Sequence, residues 1–308
     1  MTDIQRFNVR EIMGFEVVAP EHGNDWGDCR PAFKVTFSDN SVLVLKGEAR
    51  DGMQPHTAER IIQFGGDLMR TVSGYVQVQM CKPSEIQALR GLSERSFGPR
   101  EKAGLTRRYL TELIDSQMFV FYKMPYVENL KSLNKSLKAG KGAKVLAKLK
   151  MDRNVLFELG KVVAIDLFIG NDDRFMFDGR IANEGNIVFQ KNMEKRYIPV
   201  GLDFYRGGEP SNLSAPPPNV WGGLTLRDRQ HINNFATRAI ESLNECFRRE
   251  LGNNYPFSML LDITNTTNFA FGMTKGVESL KGNLVGKLKQ GRGLPPGVVS
   301  RMDQLGWN

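Results

Sequence analysis

The sequence predicts an α+β fold, with a small N-terminal unit of antiparallel strands and one helix followed by a larger, mainly helical C-terminal unit. Three observations carry this. AFKVTF and SVLVLKG, residues 32–37 and 41–47, alternate apolar with polar side chains and meet at the polar turn Ser38-Asp39-Asn40-Ser41, which reads as a hairpin. Beyond residue 130 the apolar residues recur at helical spacing. Between these regions the apolar strand SQMFVFYKM, residues 116–124, runs into Pro125 and then a polar, helix-starting segment. This change of character predicts a hinge at about 121–130, dividing residues 1–124 from 125–308.

A chain of 308 residues can bury a substantial core, as one large domain or as two lobes. No apolar run approaches the ~20 residues of a membrane helix, and the polar start MTDIQRFNVRE lacks the apolar centre of a secretory signal. The expectation is a cytoplasmic protein without a transmembrane segment. Cys29, Cys81 and Cys246 are far apart, as are His22, His56 and His231, so neither a zinc site nor a disulfide framework is expected. The net charge of +8 is compatible with an anionic partner, be it a nucleic acid, a membrane or an acidic protein.

In order, GFEVVAP at 14–20 is the first strand, and the glycine-bearing loop His22–Asp28 follows it. That loop is either ordinary surface or a place where backbone N–H groups cover phosphates. Lys46 leaves the VLVL strand with its stem held by packing, a geometry suited to binding phosphate. PHTAERIIQFGGDLM, residues 55–69, reads as a helix carrying Glu59, with the Gly65-Gly66 pair weakening its second half. YVQVQM is a further strand, PSEIQALRGL a short helix with Ser84 as its cap, and LTRRYLTELI another amphipathic helix.

Residues 131–153 carry Lys131, Lys135, Lys138, Lys141, Lys144, Lys148, Lys150 and Arg153, interleaved with Leu133, Leu137, Val145, Leu146 and Leu149. The spacing gives two helices with solvated lysine faces, or a docking surface for an acidic partner or phosphoinositide. No aromatic residue stands among the lysines to stack bases, which disfavours nucleic acid. NVLFELGKVVAIDLFIG is apolar nearly all round and predicts a buried helix. After Tyr205 a glycine- and proline-rich stretch ends at Trp221. A packing helix follows over 228–251, then one carrying Val277, Leu280, Leu284 and Leu288, and last a glycine- and proline-rich tail.

The stretch Ala164–Tyr205 concentrates the candidate chemistry. Asp173, Asn186 and Asp203 each lie at the edge of a short apolar run, which places them on loops beside buried elements. Oxygen ligands for a magnesium nucleotide are presented in this way. Gly170-Asn171-Asp172-Asp173-Arg174, then Gly185-Asn186-Ile187-Val188-Phe189, then Val200-Gly201-Leu202-Asp203-Phe204 resembles the pattern of actin-fragmin kinase. It is similar also to the type II phosphatidylinositol 4-kinases and the HipA-type kinases, although HRD, DFG and a regular glycine-rich loop are absent.

The resemblance implies a bilobal protein kinase-like fold that binds ATP and Mg²⁺ and phosphorylates a protein substrate. Asp173 would be the catalytic aspartate facing the attacking hydroxyl, and Asn186 and Asp203 the magnesium ligands. Lys46 would contact the α- and β-phosphates with Glu59 as its partner, Met124 would line the nucleotide, and Arg174 would structure the loop. Because the interval from Asp173 to Asn186 is long, Asn183 is a rival ligand and Asp172 a rival to Asp173; Asp166 reads as helical and structural. A phosphoinositide kinase, an AMP-transferring enzyme and a non-catalytic pseudokinase are the alternative readings. The first reading makes the protein a kinase, hence a transferase, with an effector or toxin acting in a host cytosol as one setting.

Overall fold

The computed structural model describes residues 12–19, 32–49, 54–69, 78–92, 119–194, 196–202, 213, 216–252 and 260–307. The chain folds as two compact units, Met1–Gly66 with Gln77–Tyr126, and Asp67–Val76 with Val127–Asn308.

In the first unit the strands β1 (Ile12–Ala19), β2 (Ala32–Phe37), β3 (Val42–Ala49), β4 (Gln79–Met80) and β5 (Phe119–Pro125) form one antiparallel sheet in the order β1-β2-β3-β5-β4. Period-two alternation sets its faces. Phe33, Val35 and Phe37 of β2 and Leu43 and Leu45 of β3 are buried on one side. The register places Val44 opposite Met124 and Lys46 opposite Tyr122, so these four side chains share the other side. Helix α1 (Pro55–Met69) runs unbroken through Gly65 and Gly66, against the expectation that the pair would weaken it. Gly66 is required there: a Cβ at this position would fall on the Val78 side chain. Helix α2 (Pro83–Leu92) is where expected, but its first turn is closed by Glu85 rather than Ser84, with the Lys82 N–H donating to Glu85 Oε2 at 2.8 Å. The loop His22–Asp28, Cys29 and the LTRRYLTELI segment lie outside the described residues.

The second unit is mainly helical. It contains β6 (Leu130–Ser132), α3 (Leu133–Lys138), α4 (Gly142–Met151), α5 (Arg153–Ile169), β7 (Val188–Lys191), β8 (Tyr197–Val200), α6 (Arg229–Leu251), α7 (Ile263–Lys289) and α8 (Pro296–Leu305). Strands β6, β7 and β8 pair antiparallel in that order. Helix α5 is the centre, with twelve of its seventeen residues buried, as an all-round apolar helix requires. It lies close against α7 because glycines stand at the contact: Gly160 packs on the Phe269 carbonyl, Gly272 on the Phe157 carbonyl and Gly276 on Ala164. Leu133, Leu137, Val145, Leu146 and Leu149 hold α3 and α4 to the core.

Two elements differ from expectation. Helix α7 begins at Ile263, well before Val277, under a capping box in which Asp262 accepts from the Thr264 and Asn265 N–H groups while Asn265 Oδ1 accepts from the Asp262 N–H. The tail is helical, since Val298, Met302, Leu305 and Trp307 are buried and the Trp307 ring stacks on Phe168 at 5.4 Å.

Candidate functional site

The loop after α5 is built on a buried ion pair. Helix α5 ends at Gly170, whose φ of 82° turns the chain in a conformation that glycine adopts without strain. Asp166 and Arg174 are each 2 % exposed, and the Arg174 guanidinium is bound to the Asp166 carboxylate. Pairing is what permits both charges to be buried. Asn171, also buried, joins this pair to the loop. Its backbone N–H donates to the Asp166 carbonyl at 2.8 Å and its Nδ2 to Asp166 Oδ1 at 3.1 Å, while its Oδ1 accepts from the Asp173 N–H at 3.2 Å. Asp166 is thus helical and structural, and Arg174 structures the loop.

The long interval between Asp173 and Asn186 is an excursion that returns to its origin. Phe175 and Ile181 bridge antiparallel, and the Ala182 N–H donates to the Arg174 carbonyl at 3.2 Å. The tip rests on α6: Gly179, at φ 93°, packs on the Phe235 carbonyl, and the Ile181 N–H donates to Ser242 Oγ at 3.0 Å. Asn183 then caps the 3-10 turn Glu184–Asn186 by accepting from the Gly185 N–H at 2.8 Å.

This path brings Asn186 back to Asp173. Arg174 Nε donates to the Asn186 carbonyl at 2.9 Å, and Asn186 Nδ2 donates to the Asp173 carbonyl at 3.3 Å. With its N–H₂ engaged, the Asn186 amide has its oxygen to offer a hard cation, so the chemistry of this residue fits a magnesium ligand. Asn183 is exposed and occupied as a cap, whereas Asn186 is half-buried. Asp172 and Asp173 are both half-buried. Asp203 lies outside the described residues; the chain reaches it through Gly201 and Leu202 after Val200, the partner of Val188.

In the first unit, Lys46 is half-buried on β3 and shares its face with Val44, Tyr122 and the buried Met124. Glu59 is exposed on α1. One feature escaped the sequence reading altogether: Lys123, 2 % exposed, pairs with Glu85 at 2.6 Å. Its signal was a lysine inside an otherwise apolar strand. Cys81 lies in the same environment, and its thiol is pushed up to about 12 by burial first and then by the Glu85 carboxylate.

A family model described as the catalytic domain of actin-fragmin kinase matches residues 100–199, about a third of the chain. The match bears out the resemblance and shows the segment holding Met124, Asp173 and Asn186 to be kinase-like. No curated protein matches the sequence. Among solved structures, the kinase domain of maize sucrose-induced receptor kinase 1 bound to AMP-PNP is 13% identical with a TM-score of 0.40, over 98% of this chain and 96% of that one. The pseudokinase drought responsive inactive kinase 1, bound to ENMD-2076, is 10% identical with a TM-score of 0.39, over 99% and 97%. The golgi casein kinase is 14% identical with a TM-score of 0.34, over 88% and 72%.

Proposed function

We propose that this chain is an ATP- and Mg²⁺-dependent phosphotransferase of the atypical protein kinase type, acting on a protein hydroxyl. The observation that carries the reading is the Asn186–Asp173 link, at 3.3 Å across thirteen residues of sequence. It ties the side chain assigned to the metal to the backbone of the residue assigned to the attacking hydroxyl, and an amide oxygen and a carboxylate are the groups that phosphoryl transfer uses for those two tasks.

Mg²⁺ supplies neutralisation of charge on the transferring phosphoryl group. Asn186 and Asp203 are assigned to hold it, and Asp173 to accept the proton of the hydroxyl. In the first unit Lys46 is assigned to the phosphates and Met124 to the adenine. The shared face supports this, because the apolar Val44 and Met124 stand beside a lysine. Glu59 remains the proposed partner of Lys46. Phosphoryl transfer needs positioning and charge neutralisation more than covalent chemistry, so this short set of groups is sufficient.

The test is transfer of label from γ-labelled ATP to the protein itself or to a cell extract in the presence of Mg²⁺. Asp173→Asn and Asp203→Asn are each expected to lower it by at least ~10²-fold, the scale of a lost general base or metal ligand. Undiminished transfer in both variants overturns the assignment. Label from α-labelled ATP alone makes the enzyme an AMP transferase, and binding of ATP with no transfer makes it a pseudokinase.

A further inference from the structure

We infer that the outward face of α3 and α4 is a docking surface for an anionic lipid bilayer. The charge of this protein is concentrated there. Seven lysines and no acidic residue stand between Asn129 and Met151, which is nearly the whole of the net +8 carried by 308 residues. Folding sorts three of them onto one side of α4. Val145, Leu146 and Leu149 turn into the core, while Lys141 and Lys144 are exposed and Lys148 half-buried at positions one helical turn apart. The 81 % exposed Met151 continues that stripe by one more turn. Lys138 is exposed at the end of α3. Among the described residues, no carboxylate pairs with Lys138, Lys141, Lys144 or Lys148. Lys150 is excluded from the set, since it donates to the Leu260 carbonyl at 2.7 Å and faces Asp262 at 3.8 Å.

The shape and residue types select the partner. Ala139, Gly140 and Ala143 are exposed between the lysines, so the corner is smooth. The neighbouring cavity of about 570 Å³ takes Asn134 from this region and none of the lysines. An acidic peptide would be expected to meet a groove, and nucleic acid to meet arginine or an aromatic ring; between Asn129 and Met151 there is neither arginine nor aromatic residue. Lysine point charges around a single exposed methionine suit a flat anionic surface, where attraction is delocalised and insertion shallow. The surface uses none of the residues assigned to the nucleotide, so this inference stands apart from the phosphotransfer reading.

The experiment is co-sedimentation of the purified full chain with phosphatidylcholine vesicles, with and without phosphatidylserine. Binding to the phosphatidylserine vesicles alone is expected, with release as salt shortens the screening length from ~10 Å at 0.1 M toward ~3 Å at 1 M. Lys141→Gln/Lys144→Gln/Lys148→Gln should weaken it by about a hundredfold, from roughly fivefold per lysine. The corresponding triple Lys→Arg variant should bind as well as the parent, and an unchanged unfolding midpoint shows that both variants are folded. Absence of parent binding at low salt, or equal binding by the Gln variant, overturns the proposal. Capture of polyglutamate or single-stranded RNA through the same lysines, with vesicles ignored, also overturns it and makes the partner a soluble polyanion.

Discussion

The Asn186 side chain donates to the backbone carbonyl of Asp173 at 3.3 Å, although thirteen residues separate them. The intervening chain is a bridged excursion that seats on α6 and returns to its starting point. On the proposed assignment, removing the amide should therefore affect Mg²⁺ binding, while removing its neighbour Asn183 should not. Asn186→Ala is expected to raise the Mg²⁺ concentration needed for half-maximal transfer by ~10- to 100-fold. Asn183→Ala loses a cap to a three-residue turn and should cost only about 1 kcal/mol of stability. Transfer rates measured across a Mg²⁺ series separate the two; an equal response from both asparagines refutes the assignment of Asn186.

The Asp166–Arg174 pair beneath the loop is nearly inaccessible to water, with side chains 3 % and 2 % exposed. Arg174→Ala leaves a buried carboxylate without its guanidinium and also breaks the bond to the Asn186 carbonyl. The expected cost is ~3–5 kcal/mol, lowering the unfolding midpoint by about 10 °C. Asp166→Leu combined with Arg174→Met removes both charges and should recover much of that stability. It should not recover transfer, because Asn186 would still lack its anchor. Calorimetry and the labelling assay on the same two proteins distinguish stability from placement.

How much of this was legible in the sequence depended on the range of each interaction. The hairpin, α1, the two lysine-bearing helices and buried α5 follow from local periodicity, which the core then exploits. The D-N pattern was visible as spacing, yet whether Asn183 or Asn186 faces Asp173 is decided by Gly179 and Ile181 seating on α6. No window around residue 180 contains α6. The Lys123–Glu85 pair joins residues 38 apart, so each looked like an ordinary charge. The first half of α7 is rich in Thr and Asn, poor helix formers, and is held by its capping box and by the Gly272 and Gly276 contacts. The tail looked like loop because of its prolines, but Pro296 occupies the first turn of α8, where proline costs nothing.

Lys123 and Glu85 give a second buried pair, at 2.6 Å with side chains 3 % and 7 % exposed. Glu85 serves twice, since its other oxygen accepts the Lys82 N–H at the start of α2. Lys123→Met should therefore destabilise by ~3–5 kcal/mol through the stranded carboxylate. Lys123→Met with Glu85→Gln should be less damaged than Lys123→Met alone, with a coupling of ~1–3 kcal/mol in a double-mutant cycle. Additive losses would show that the pair does not act as a unit.

Cys81 and Cys246 are both buried, and burial pushes each thiol up to about 12. The Glu85 carboxylate adds to the effect at Cys81, and the hydrogen bond to Glu184 adds to it at Cys246. The thiolate is the reacting form, so at pH near 8 only ~10⁻⁴ of either group is available. Peptide mass analysis after iodoacetamide should find both unmodified in the native protein and fully modified in denaturant. Modification of either at the rate of a free cysteine would contradict the burial.

Two glycines of α7 make opposite predictions from the same substitution. Gly272 faces α5, and a Cβ there would fall on the carbonyl carbon and oxygen of Phe157, backbone atoms that cannot swing aside. Gly272→Ala must push α5 and α7 apart along the contact that also includes Gly160 and Gly276, an overpacking cost of ~1–3 kcal/mol or more. Gly282, ten residues further along the helix, has nothing within 4 Å of where a Cβ would stand and is exposed. There the methyl group meets only solvent, and the substitution removes the extra freedom of glycine in the unfolded chain and improves helix propensity, for a gain of ~0.5–1 kcal/mol. Denaturant titration of the two single variants should move the midpoint in opposite directions. Movement in the same direction would mean that the α5–α7 contact does not set the stability of this unit.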